Sequence, residues 1–175
     1  MSSFKDRIVR AAKLDAQLYE EVEADKSALN QALVVVILSS LAGSLNIGRM
    51  GFGGIFIGIV ITLTGWIVWA YLTYVIGTKL LPESETESSF TELLRTIGFS
   101  SSPGLIRVVG VVPFISGPVF FITSIWMLVA MVIAVRQALD YRSTKRAVGV
   151  CLIGWVFQLA VMAVMFSLLV ETAAK

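Results

Sequence analysis

The sequence predicts an all-α fold, a polytopic membrane protein built as a bundle of five transmembrane helices with an N-terminal amphipathic interfacial helix. Three observations predict it. The first is composition: of 175 residues, 57% are apolar and 15% charged, with a mean hydropathy of +0.85, whereas soluble domains carry about 25% charge. A chain of this length still exposes roughly a third of its unfolded surface after folding, so this much apolar surface needs lipid as a second solvent. The second observation is five apolar segments separated by polar or turn-forming stretches. The third is that basic residues gather on one predicted face of the membrane.

Residues 1–30 form the most polar part of the chain and read as a cytosolic amphipathic helix. They hold no apolar run and no small-residue cleavage site, so they do not read as a signal peptide. Phe4, Ile8, Ala11, Leu18 and Val22 recur on one helical face, with Leu14 beside it. The basic Lys5, Arg7, Arg10 and Lys13 come first, and the acidic Glu20, Glu21, Glu23 and Asp25 follow. That gradient suits a helix on the membrane surface with its basic end toward anionic headgroups. The alternative is a solvated helix whose apolar stripe packs on the transmembrane bundle.

Residues 31–170 form the transmembrane domain. The first segment runs from Gln31 to Ile47 and closes with the turn Gly48-Arg49-Met50-Gly51. The second, Gly54 to Gly77, is long enough to cross with some tilt, since ~20 residues suffice. An acidic loop follows from Lys79 to Arg95, with Pro82, Glu83, Glu85, Glu87 and Glu92. The third segment, Ile97 to Val112, is short and carries Ser100, Ser101, Ser102, Pro103, Gly104 and Arg107. The turn from Pro113 to Pro118 leads to the fourth, Val119 to Val135. A basic loop, Arg136 to Arg146, precedes the fifth, Ala147 to Val170, and residues 171–175 form a short outside tail.

The positive-inside rule decides whether the third segment crosses. With five crossings and the N-terminus inside, the inner stretches hold Lys5, Arg7, Arg10, Lys13, Lys26, Lys79, Arg95, Arg136, Arg142, Lys145 and Arg146, leaving Arg49 and Lys175 outside. A re-entrant third segment would carry Arg136, Arg142, Lys145 and Arg146 to the wrong face. Five crossings therefore fit, with the N-terminus cytoplasmic and the C-terminus outside.

Several chemistries are excluded at the outset. The chain has no histidine, which removes imidazole-ligated haem, His-containing zinc sites and His-based triads. A single Cys151 allows neither an intrachain disulfide nor a multi-cysteine metal site. A net charge of +2 is too small and dispersed for nucleic-acid binding. No carboxylate sits at membrane depth to serve as a coupling relay, and no nucleophile–base pair or phosphate-cradling loop is present. We expect no enzyme, no cofactor and no metal.

Three candidate sites remain. Gly54, Gly58, Thr62 and Gly65 fall on one face of the second segment, a strip of small residues suited to close helix approach. It reads as internal packing before homodimerisation. On the same segment Tyr71 and Tyr74 suit the interfacial belt, whereas Trp66 lies deeper and reads as packed. Ser100, Ser101, Ser102, Pro103 and Gly104 break the third segment, which reads as a structural kink with a transporter-like ligand site as the alternative. Arg107 lies within an apolar segment, where charge marks a functional hypothesis. It sits roughly 9 Å from the outer turn, within snorkelling reach, so an anion or lipid headgroup contact stands beside a bland reading. Gln158 reads as an interhelical hydrogen bond. At the surface, Lys5, Arg7, Arg10 and Lys13 are the expected membrane contacts.

The chain resembles the Yip family of multi-pass Ypt/Rab-GTPase interactors, especially its short prokaryotic members, over about residues 15 to 165. The resemblance is carried by Ser89-Phe90-Thr91-Glu92-Leu93-Leu94-Arg95, then Gly98-Phe99-Ser100-Ser101-Ser102-Pro103-Gly104. The Pro113/Pro118 turn, Trp126 and Ser143-Thr144-Lys145-Arg146-Ala147 follow in order. The resemblance implies five transmembrane helices, a cytosolic N-terminus and the plasma membrane of a prokaryote. Eukaryotic relatives bind prenylated Rab GTPases through a DLYGP-type motif, but here only Asp15-Ala16-Gln17-Leu18-Tyr19 stands in its place, without the Gly-Pro. Rab binding is therefore not carried over.

The leading expectation is a non-enzymatic membrane protein that organises membrane or scaffolds partners, associating with the lipid bilayer and with itself or other membrane proteins. The alternatives are a small permease or channel for an anion or lipid using the kinked third helix, and an accessory subunit of a larger membrane complex.

Overall fold

Ser3 and Asp15 each begin a helix. The Ser3 side chain accepts from the Asp6 amide and the Asp15 side chain from the Gln17 amide, satisfying donors that a first turn leaves free. In the computed structural model, residues 2–44, 52–112 and 114–173 are described, with their side chains apart from 52–54 and 161–173. All regular structure among the described residues is helical. The order is α1 (Phe4–Ala12), α2 (Ala16–Ala24), α3 (Ala28–Ser44), α4 (Phe52–Val75) with a π-turn continuation Ile76–Leu80, and α5 (Phe90–Phe99). A 3₁₀ stretch Ser102–Val111, α6 (Ser116–Ala138) and α7 (Thr144–Ala173) complete it.

The N-terminal region corrects the expectation of one surface helix. Leu14 takes a φ of 63°, a left-handed conformation that reverses the chain, so α1 and α2 form a hairpin. The apolar positions read from the sequence still face inward: Ala11, Leu18 and Val22 are buried in the core, and Phe4 and Ile8 pack against it. α2 lies on α5 and α6, and α1 on the 3₁₀ stretch. The hairpin thus packs on the bundle.

Five segments alternate in direction. Ser40 faces Thr62 and Ser44 faces Gly58, so α3 and α4 run antiparallel. Gly98 lies on Ala32, and Gly104 on Ser39, so α5 and the 3₁₀ stretch run parallel to α3. Arg107 bonds Thr123 and Ser124 while Ser100 lies by Met131, which sets α6 antiparallel to that segment. Gly154 packs on Trp69 and Gly149 faces Leu81, setting α7 antiparallel to α4.

Two helices, Ile55–Leu80 and Ser116–Ala138, are long and apolar enough to cross a membrane, and α3 is a shorter apolar helix. The third segment begins earlier than its apolar run suggests. Ser89 and Glu92 form a capping box that starts α5 at Phe90. α5 rises roughly 15 Å and the 3₁₀ stretch roughly 20 Å, a combined reach that matches a hydrocarbon core of about 30 Å. Large apolar side chains lie exposed on each of the five segments, among them Leu38, Phe56, Val108, Phe121 and Leu152. The expected Gly48–Gly51 turn and Pro113 lie outside the described residues.

Candidate functional site

Pro103 breaks the third segment because it lacks an amide donor and excludes a continuing α-turn. The carbonyls this frees are met locally: Ser100 Oγ donates to Ile97 O and Ser102 Oγ to Phe99 O, both at 2.7 Å. Both serines are buried and act as caps of the break. Gly104 is glycine because a Cβ there would collide with Ser39 and Met127.

Three residues past the break, Arg107 reaches α6. Its Nε donates to Thr123 Oγ1 (3.2 Å) and its Nη2 to Ser124 Oγ (3.0 Å). The guanidinium carbon stands 4.9 Å from the centre of the Phe120 ring, within cation–π range. Each hydroxyl gives its one proton to the α6 backbone, Thr123 to Val119 O and Ser124 to Phe120 O, so toward Arg107 each can only accept. The guanidinium is thereby held in one orientation. Ser101 and Arg107 border two cavities, of ≈ 460 and ≈ 400 Å³.

The small-residue strip on α4 is divided. Gly58 and Thr62 face α3: Thr62 Oγ1 donates to Gly58 O (2.8 Å) and lies 3.1 Å from Ser40 Oγ. No described atom of a neighbouring element lies within 4 Å of where a Gly65 Cβ would stand, and the surroundings of Gly54 lie outside the described residues. The tightest approaches to α3 come instead from Gly98 and Gly104. Trp66 is buried and donates to Leu94 O at 3.2 Å. The Oε1 of Gln158 is buried with no hydrogen-bond partner among the described residues.

The expected membrane-surface cations part ways. Lys5 and Lys13 are exposed, but Arg7 is only 2% exposed. It donates to Glu21 and Gln31, each at 3.0 Å, and pairs with Asp25 at 2.8 Å. Arg10 pairs with Asp15 (2.8 Å) and Glu21 (2.7 Å). Arg7 and Arg10 therefore close the α1–α2 hairpin, a correction to their reading as headgroup contacts. The physical reason is the acidic run of α2, brought opposite them by the reversal at Leu14. The Ser2 hydroxyl, with Arg10 and Arg7 beside it, holds Glu21 at about 2, and Ser27 and Arg7 hold Asp25 at about 2.

Sequence reasoning missed what docks this hairpin. Arg95 is buried and donates from Nε to Val22 O (3.0 Å) and from Nη2 to Glu23 O, capping the C-terminus of α2. Trp126 Nε1 donates to Ala12 O at 2.8 Å, and Gln137 to Glu20 at 2.7 Å. These links join residues 72 to 117 positions apart, for which no linear signal exists. At the same end, Tyr141 OH lies between the carbonyls of Leu81 (2.7 Å) and Gly77 (2.9 Å). Arg142 pairs with Glu85 at 2.6 Å, and Arg146 with Glu83 at 3.4 Å. The C-terminal end of α2 and the two loops thus form one polar platform, while the hairpin tip reaches along α6 to Trp126.

A family model, the Yip1 domain, matches residues 16–165, and these contain the broken segment, Arg107 and the loops of the platform. The chain belongs to the Yip1 domain family. It is accordingly a membrane-associated protein of the Yip type, as its two long apolar helices also indicate. No curated protein and no solved structure matches it. Among the described residues, no group of three or more acidic, thiol or imidazole side chains is placed to hold a metal ion.

Proposed function

We propose that this Yip-type chain is a non-enzymatic integral membrane protein that crosses five times and organises membrane or scaffolds partner proteins through its polar platform. The resemblance to short prokaryotic members supports the plasma membrane of a prokaryote as its place, with the platform in the cytoplasm. The observation that carries this reading is the platform itself. Three stretches remote in sequence gather at one end of the bundle, and together they present Glu20, Lys26, Glu87 and Lys145 to solvent. Alternating segment directions and exposed apolar side chains on all five segments support the five crossings.

The test is association in native lipid. The protein is extracted with its surrounding lipid and complexes are weighed, for the wild type and for a Glu20→Lys, Lys26→Glu, Lys145→Glu variant. The expected result is a defined homo-oligomer or a stoichiometric membrane partner that the charge reversal weakens. A lone monomer, or association indifferent to the reversal, overturns the scaffolding role.

A further inference from the structure

We propose that the two cavities meeting at Arg107 form one phospholipid site. The lipid phosphate lies on the guanidinium, an acyl chain fills the cavity between α6 and α7, and a hydrogen-bond-donating headgroup lies toward α3. This goes beyond the scaffolding role and does not depend on it.

The first cavity, of ≈ 460 Å³, is walled by Trp69, Met131, Leu152 and Trp155, with Ser101, Ser124 and Arg107 at its polar side. Leu128, Leu152 and Trp155 on its rim are exposed, so it opens sideways onto the apolar band of the bundle and not toward the platform. The second cavity, of ≈ 400 Å³, lies between α3, α4 and the 3₁₀ stretch, where Ser39, Ser40, Ser44 and Thr62 bring hydroxyls. Ser101, Arg107 and Met127 line both. Each volume falls in the range of small-molecule sites.

Charge complementarity selects the occupant. A guanidinium fork matches phosphate oxygens in geometry and charge, and here Thr123 and Ser124 fix its orientation. Arg107 meets α6 seven and eight residues beyond Ser116, roughly 10–12 Å along the helix. A phosphate at that depth, beside an apolar slot open to the lipid, is one that carries acyl chains. Gly43 of α3 lies beside the guanidinium, where a Cβ would stand 3.9 Å from Arg107 Nη1.

The hydroxyls of the second cavity define the headgroup. Ser44 donates to Ser40 O (2.9 Å) and Thr62 to Gly58 O (2.8 Å). With the Thr62 proton committed, the 3.1 Å contact between Ser40 and Thr62 has Ser40 as donor. Three of the four protons, those of Ser40, Ser44 and Thr62, are then used within the protein, and their lone pairs remain for a donor from outside. An ethanolamine or glycerol headgroup supplies such donors, whereas a choline headgroup has none.

The test is native mass spectrometry of the delipidated full chain, offered phosphatidylethanolamine, phosphatidylglycerol, phosphatidylcholine and diacylglycerol in competition. We expect one phosphatidylethanolamine or phosphatidylglycerol retained per chain. Retention should fall about tenfold or more in Arg107→Gln, the size of a lost charge-assisted contact, with partial recovery in Arg107→Lys. Leu152→Trp fills the slot from an exposed position, so it should lower retention while Arg107 stays in place, and it decides the matter if Arg107→Gln does not fold. Unchanged retention in Leu152→Trp, or in a folded Arg107→Gln, overturns the site. Equal retention of diacylglycerol reduces it to a greasy groove, and displacement of the lipid by millimolar inorganic phosphate reduces it to a free-anion site. Equal retention of phosphatidylcholine overturns the headgroup assignment.

Discussion

Arg95 holds the N-terminal hairpin to the bundle through the last carbonyls of α2. Hydrogen bonds from a charged donor contribute about 1.5–3 kcal/mol, so Arg95→Ala should destabilise the docked state by that amount and Arg95→Lys should recover part of it. Unfolding in detergent, followed by the mobility of a spin label at Lys13, measures this. The acids of the hairpin add a pH dependence with two limbs. Glu21 and Asp25 sit at about 2 when folded, below the ordinary carboxylate range near 4. Their stabilisation is complete above that range and is lost as pH falls toward 2. Glu23 behaves in the opposite sense: burial, with Asp140 and Glu92 nearby, pushes it up to about 8. Its ionisation costs stability progressively as pH rises from about 4 to 8. Docking is therefore tightest near pH 4–5, and Glu23→Gln should flatten the alkaline limb alone. Equal label mobility from pH 3 to 8 would refute this. None of these roles was legible residue by residue. Arg7 and Arg95 look like ordinary positive-inside charges, and only the reversal at Leu14 and the fold of the chain bring them to their partners.

At the scale of elements, glycines decide how closely helices approach. A Cβ on Gly98 would come within 2.7 Å of the Ala32 Cβ and 3.2 Å of its Cα, which a rigid helix backbone cannot yield cheaply. Gly98→Ala should therefore destabilise by about 1–3 kcal/mol through overpacking. Gly65→Ala meets nothing within 4 Å among the described residues and should be neutral or stabilise by up to about 1 kcal/mol through helix propensity. Thermal unfolding of the two variants side by side checks the pair, and equal losses would contradict it. The sequence pattern shows small residues on one face of α4 but not which of them meets a neighbour, because that depends on the approach of α3. The break at Pro103 was legible from proline chemistry. Its continuation as a long 3₁₀ stretch was not, since it reflects the packing of the third segment between α3 and α6. The capping box at Ser89 and Glu92 was readable from its spacing, and it is the local signal that sets the true start of α5.

For the whole molecule, composition and charge placement were enough to indicate helices in lipid, because both follow from transfer energetics and not from contacts. The number of crossings depends on the third segment, which is broken at Pro103 into two ten-residue helices, each too short to span alone. Its direction, parallel to α3 and antiparallel to α6, is what argues for a crossing. The same arrangement places the C-terminal end of α2 and the loops around Glu85 and Arg142 together at one end and Phe114 at the other. Phe114 is 95% exposed, as suits the tip of a turn. Cysteines placed singly at Lys26, Glu85, Phe114 and Arg142 in a Cys151→Ser background, labelled in sealed vesicles with a membrane-impermeant reagent, test this arrangement most directly. Positions 26, 85 and 142 should label from one face and 114 only from the other. Labelling of 114 from the same face as 85 would mean that the third segment does not cross and would contradict the five-crossing bundle.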